Sequence, residues 1–124
     1  MKRDITVPLF LLMLVLHIAH VFEEIWGEFW MIDILSLKLF LVINWILYCI
    51  IIGLFYFMLE KRKWAYQLAI IYAGFMGLQG IAHVLATIIS GNYFGGFAGG
   101  VTGLAVFITS IPLVYHLIKE IRSE

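Results

Sequence analysis

Four apolar runs, each about as long as a bilayer is thick, constrain this chain more than any other feature. They cover roughly Val7–Trp26, Leu39–Leu59, Ala65–Ser90 and Phe97–Ile118, and a stretch of about 20 apolar residues is what a helix needs to cross the hydrocarbon core. Backbone polar groups have no water partner there, so a single run of this length is satisfied only as a helix. Of the 124 residues, 64% are hydrophobic and 13% charged, with a mean hydropathy of +1.04. That is too little polar surface to enclose a soluble core. The expected fold is an all-α, four-helix transmembrane bundle forming one integral membrane domain over residues 1–124.

The breaks between the runs have separate physical readings. Pro8 suits a first helical turn, where its missing N–H would be unsatisfied anyway. The start of the chain looks like a signal peptide, but His17, His20, Glu23 and Glu24 stand where a small-residue cleavage site would be, so it reads as a retained first span. Gly27 to Lys38 carries Glu28, Asp33, Ser36 and Lys38 among apolar residues. This composition predicts a short interfacial segment between helices 1 and 2, flanked by the aromatic belt of Trp26, Phe29 and Trp30. Glu60-Lys61-Arg62-Lys63 is the sharpest boundary, and Gly91 to Gly96 is a turn. Pro112 predicts a kink in the last span, with Thr109 or Ser110 placed to satisfy the carbonyl it frees. Cys49 stands alone, so neither an intramolecular disulfide nor a cysteine-based metal motif can form.

Charge sets orientation and excludes one class of partner. Lys2, Arg3, Lys61, Arg62, Lys63, Lys119 and Arg122 share one side of a four-span chain, and only Lys38 lies on the other. By the positive-inside rule both termini are cytoplasmic (N-in and C-in), in what reads as a prokaryotic cytoplasmic membrane. Eight basic residues balance eight acidic ones, so no net field points to nucleic acid. The implied partner is membrane lipid.

Within this frame, His17, His20, Glu23, Glu24 and Glu28 cluster at the end of the first span. Ionisable groups inside a membrane are costly unless paired or wetted, and they mark candidate sites. At 100° per residue, His17, His20, Glu24 and Glu28 fall within an arc of about 80°, while Glu23 lies about 60° from His20 on its other side. His20 thus has carboxylates at i+3 and i+4. Glu23 and Glu24 diverge by about 100°, so one is expected to touch a bound ion and the other to support it or act as a base.

A rise of about 1.5 Å per residue places His20 roughly 5 Å and Glu24 roughly 11 Å outward of the midplane, with Asn44 and His83 each roughly 7 to 8 Å outward. His116 falls roughly 12 Å inward and reads as an interfacial residue near a helix C-terminus. Gln79, His83 and Thr87 recur every four residues and form a polar seam on the third span. An imidazole from each of two helices plus a carboxylate is the donor set of catalytic zinc sites and of facial non-haem iron sites. The expected metal ligands are therefore His20, Glu24 and His83, the catalytic carboxylates Glu23 and Glu24, and the supporting residues His17, Asn44 and Gln79, with zinc or iron as the divalent metal.

The segment His20-Val21-Phe22-Glu23-Glu24, read as H-x-x-E-E in the first of several apolar segments, resembles the HXXEE family of small prokaryotic membrane proteins. The resemblance extends over the whole chain: its length, the motif's place near the N-terminus, and a later span whose histidine precedes a glycine-rich turn. It implies that His20, Glu23 and Glu24 are defining residues, without implying an activity. The family's turn often carries proline before glycine, where this chain has Tyr93-Phe94-Gly95-Gly96.

The glycines suggest close packing. Gly95, Gly99 and Gly103, with Gly96 and Gly100, make small-xxx-small steps that let the fourth helix approach a neighbour, or a second copy in a homodimer. Gly74, Gly77 and Gly80 give the third helix a small face. Three functions fit these residues: a metal-dependent intramembrane enzyme acting on a lipid-soluble substrate, a proton- or cation-conducting bundle, and a structural or regulatory bundle whose His–Glu pairs fix helix register.

Overall fold

A computed structural model describes residues 4–123, so Lys2 and Arg3 of the orientation count lie outside the described residues. The chain forms α1 (Thr6–Trp26), α2 (Trp30–Leu35), α3 (Leu37–Leu59), α4 (Lys63–Ser90) and α5 (Gly100–Ser123), with a wide turn at Tyr93–Phe97 before the last helix. The fold is all-α among the described residues. Helices α1, α3, α4 and α5 are each long and apolar enough to cross a membrane, the architecture of an integral membrane protein. Their outward faces carry large apolar side chains such as Phe22, Trp45, Ile71, Leu78 and Val101, all exposed. In lipid these positions have nothing polar to avoid.

The interfacial segment is the six-residue α2, none of whose residues is buried. It is bracketed by two non-glycine residues with positive φ, Glu28 (55°) and Ser36 (67°). Ser36 begins α3, its hydroxyl accepting from the Leu39 N–H at 3.3 Å.

Helices α4 and α5 approach backbone to backbone. A Cβ on Gly80 would overlap the Gly103 carbonyl, one on Gly103 would press on Gly80, and one on Gly77 would overlap the Ser110 side chain. Without a hydrophobic drive between helices in lipid, such close van der Waals contact is what holds them. The small face of α5 at Gly103 is thus occupied by α4 within the chain, the close helix approach expected from its glycines. Gly95, Gly96 and Gly99 do not lie on that face. They belong to the turn, because Gly95 (φ 71°) and Gly99 (φ 120°) adopt left-handed backbone and delay the helix start to Gly100.

Pro112 lies inside α5. Ser110 donates to the Phe107 carbonyl at 2.7 Å, one residue short of the Ile108 carbonyl that the proline frees.

The two ends of the bundle differ. Towards the α3–α4 loop, Phe10, Met13, Met58, Tyr66, Met76 and Leu117 are buried in an apolar core. Towards the turn end, the buried side chains are polar: His17, His20, Glu24 and His83. Helix α3 leaves open crevices on both flanks. One, against α1, has a volume of about 410 Å³ and is lined by Val21, Phe22 and Trp45. The other, against α4, measures about 530 Å³ and is lined by Leu54, Leu68 and Phe75.

Candidate metal centre

Helix periodicity delivers His20 and Glu24 to one face of α1, and the α4 seam delivers His83 to meet them. His20 Nε2 lies 2.7 Å and His83 Nε2 3.8 Å from Glu24 Oε1. One donor atom from each of the three lies within 4.8 Å of the others, and all three side chains are buried. The two imidazoles meet edge to face with centroids 4.9 Å apart. Donors held about 2.0–2.1 Å from a tetrahedral ion sit about 3.3 Å from one another. The 2.7 and 3.8 Å separations straddle that value.

The surrounding hydrogen bonds decide which ring nitrogens face inward. Thr102 Oγ1 donates its only proton to Glu23 Oε1 at 2.6 Å, so its 3.1 Å contact with His20 Nδ1 requires the imidazole to donate. His83 Nδ1 lies 3.3 Å from the Phe97 carbonyl, which can only accept. Both rings are therefore Nδ1–H, and their Nε2 atoms point at Glu24. The Phe97 carbonyl is fixed in turn by Thr87 Oγ1 at 3.2 Å, so every member of the α4 seam serves the site. Gln79 completes it, its Nε2 lying 3.4 Å from Glu24 Oε1 and 3.3 Å from His20 Nε2.

Glu23 is not at the cluster. Besides Thr102 Oγ1, its carboxylate accepts from the backbone N–H of Thr102 (2.7 Å) and Val101 (3.2 Å) and from the Tyr93 hydroxyl. It caps the N-terminus of α5 from another helix, satisfying amides that have no partner within α5. Glu23, expected as a catalytic carboxylate, is thus held by Tyr93, Val101 and Thr102 rather than facing the two histidines. Glu24 is the carboxylate that meets the two histidines. Burial, then the hydrogen bond to Glu23 and the charge of that carboxylate, push the Tyr93 phenol up to about 12, so it stays a donor throughout the neutral range. Replacing Glu23 by alanine should destabilise the fold by about 0.5–2 kcal/mol, the usual scale of a lost helix cap, measured by denaturant titration in micelles.

Two other expected supporters are placed differently. Asn44 donates to the Phe40 carbonyl of its own helix at 2.9 Å and only lines the neighbouring cavity. His17 is buried, with Nδ1 2.8 Å from the Tyr72 hydroxyl and its carbonyl accepting from Tyr48 at 3.4 Å. Glu28 is exposed, and His116 packs edge to face on Tyr115.

Sequence reasoning missed Thr102 and Gly99. Thr102 is the only hydroxyl in the first half of the last run, and its position inside an apolar span was the available signal. Gly99 closes over the cluster. A Cβ there would crowd His20, His83 and Glu24 together, and φ of 120° disfavours any side chain. The α1 C-terminus holds this turn in place through Gly95 N–H donating to the Gly27 carbonyl at 2.9 Å.

The fold and site together define a class: a four-span, all-α membrane protein with a buried two-histidine, one-carboxylate cluster near one end. Set against known proteins, the chain matches no family model, no curated protein and no solved structure.

Proposed function

We propose that the protein binds a divalent metal, zinc or iron, through His20 Nε2, His83 Nε2 and Glu24, and that it is a membrane-embedded metalloenzyme acting on a lipid-soluble substrate. One observation carries this reading. Both imidazoles spend their Nδ1–H on oxygen acceptors and turn bare Nε2 atoms towards the same carboxylate oxygen. The Gln79 amide can donate to His20 Nε2 or Glu24 Oε1, but His83 Nε2, 3.8 Å from Glu24 Oε1, has no donor among the described residues, and a cation among the three would serve them all. Orientation of each ligand by an outer hydrogen bond is the habitual support of metal-bound histidine. A single proton on His20 Nε2 would satisfy the 2.7 Å contact with Glu24, but it would leave His83 Nε2 facing Glu24 with no proton to share.

Such a metal would supply Lewis acidity, polarising an oxygen of a substrate that reaches an open coordination position. The protein's own part is to hold the ligands, through Thr102, the Phe97 carbonyl and Gln79, and to exclude bulk water by burial. The positive-inside count supports placing this centre in the outer half of a prokaryotic cytoplasmic membrane with both termini inside. The resemblance to the HXXEE family adds that His20, Glu23 and Glu24 belong together. In this reading Glu24 binds the metal and Glu23, through Thr102, orients His20.

Metal analysis of purified protein, wild type against His20→Ala and His83→Ala, tests the centre itself. A finer test is Thr102→Val, which keeps the backbone cap but removes the acceptor for His20. Metal affinity should fall about 10–100-fold, read by chelator competition, with Thr102→Ser restoring it. Unchanged affinity in Thr102→Val would remove the role given to the hydroxyl.

A further inference from the structure

A cavity touches the cluster, and its lining describes what it takes. It has a volume of about 320 Å³ and lies among α1, α2, α3 and α4. Glu24, Gln79 and His83 line it together with His17 and Asn44, and the remaining lining residues are apolar, Phe40 and Leu47 among them. Met31 and Ile43, both exposed, stand at its rim, so it opens sideways between α2 and α3 rather than along the bundle axis. The volume is at the small end of ligand sites, which span roughly 300–1,000 Å³. It holds a head and the first part of a chain, with the rest lying in the bilayer.

His17 is the group the metal reading leaves unused. It is 3% exposed, its Nδ1 is occupied by Tyr72, and its Nε2 has no partner among the described residues. It is not sealed off, since Thr6 Oγ1 alone is a closed-in side-chain polar atom without a partner among the described residues, and the residue lines the cavity, where a ligand oxygen can reach it. Asn44 adds its Oδ1, while its amide nitrogen donates one N–H to the Phe40 carbonyl. No lysine or arginine lines the cavity, so a phosphate head would lack a cationic side chain there.

We infer that the cavity binds an uncharged, single-headed amphiphile, a long-chain alcohol or ester, whose oxygen is held by His17 Nε2 beside the metal centre. This rests on the proposed function and names its substrate class. The molecule enters from the bilayer past Met31 and Ile43, and its chain lies against Phe40 and Leu47.

The test is photolabelling in nanodiscs. Zinc-loaded protein is labelled with hexadecanol carrying a diazirine near its hydroxyl, or with a phosphatidylcholine carrying a diazirine, and the labelled peptides are mapped. The alcohol should concentrate on residues 17–24 and 40–47. That labelling should drop about three- to tenfold in His17→Phe, the size of one lost hydrogen bond. Ile43→Trp, which narrows the opening at an exposed position, guards against misfolding of the first variant and should lower it as well. Labelling by the alcohol spread evenly over outward-facing residues, unchanged in both variants, overturns the inference. Equal labelling of residues 17–24 and 40–47 by the phosphatidylcholine overturns the uncharged-head assignment. Zinc content on the same samples keeps the two readings apart: zinc bound with even labelling removes the amphiphile site alone, whereas no zinc in the wild type removes the metal centre.

Discussion

Purified wild-type protein should carry close to one divalent metal ion per chain after zinc or iron loading, and the His83→Ala protein next to none. His83 comes from a different helix than His20 and Glu24, so its removal leaves two donors on a single helix turn, too few to enclose an ion. Loss of an outer hydrogen bond to a ligand costs about 10–100-fold in affinity, and loss of the ligand itself costs more. The variant should still fold, because α4 meets α5 through Gly77 and Gly80, nearer the bundle centre. Elemental analysis beside a thermal melt in detergent measures both. Equal trace metal in wild type, His20→Ala and His83→Ala would sink the metal reading and leave a hydrogen-bonded His–Glu pair.

The second large effect falls on packing and compares two glycines of one helix. Gly80→Ala should destabilise the protein by about 1–3 kcal/mol, the range for forcing extra volume into a filled space. The added methyl would meet the Gly103 backbone, which has no rotamer by which to yield. Gly74→Ala has nothing within 4 Å of its new methyl. It should be neutral or stabilising by up to about 1 kcal/mol, since alanine is the better helix former. Unfolding in mixed detergent measures both. Equal effects would mean that the α4–α5 contact is not as close as described.

How far the sequence foretold this arrangement depended on which coordinate a residue needed. Depth along a span follows from counting at a fixed rise, so His20, Glu24 and His83 could be assigned to one layer from four hydrophobic runs. Rotation about the helix axis follows only where several polar residues share a face, as Gln79, His83 and Thr87 do. Asn44 had depth but no companions, and it turns to the Phe40 carbonyl. The partners of Glu23 were not legible because they depend on where α5 begins. That point is fixed by the left-handed backbone of Gly95 and Gly99, which no hydropathy pattern marks. The interfacial α2 was legible from its mixed composition. The pairing of His17 with Tyr72, 55 positions away, was not, because nothing local joins them.

The cap that Glu23 places on α5 bears on how the protein is made. Chains emerge from the N-terminus, so α1 reaches the bilayer with two histidines and two glutamates before the helix that supplies Thr102 and the N–H groups of Val101 and Thr102 has been synthesised. Until α5 arrives, Glu23 lacks three of its four donors, since Tyr93 precedes that helix, and His20 lacks the acceptor that fixes its tautomer. The His20–Glu24–His83 cluster is completed by α5, and a chain cut short before residue 100 would hold these side chains without the scaffold that aims them.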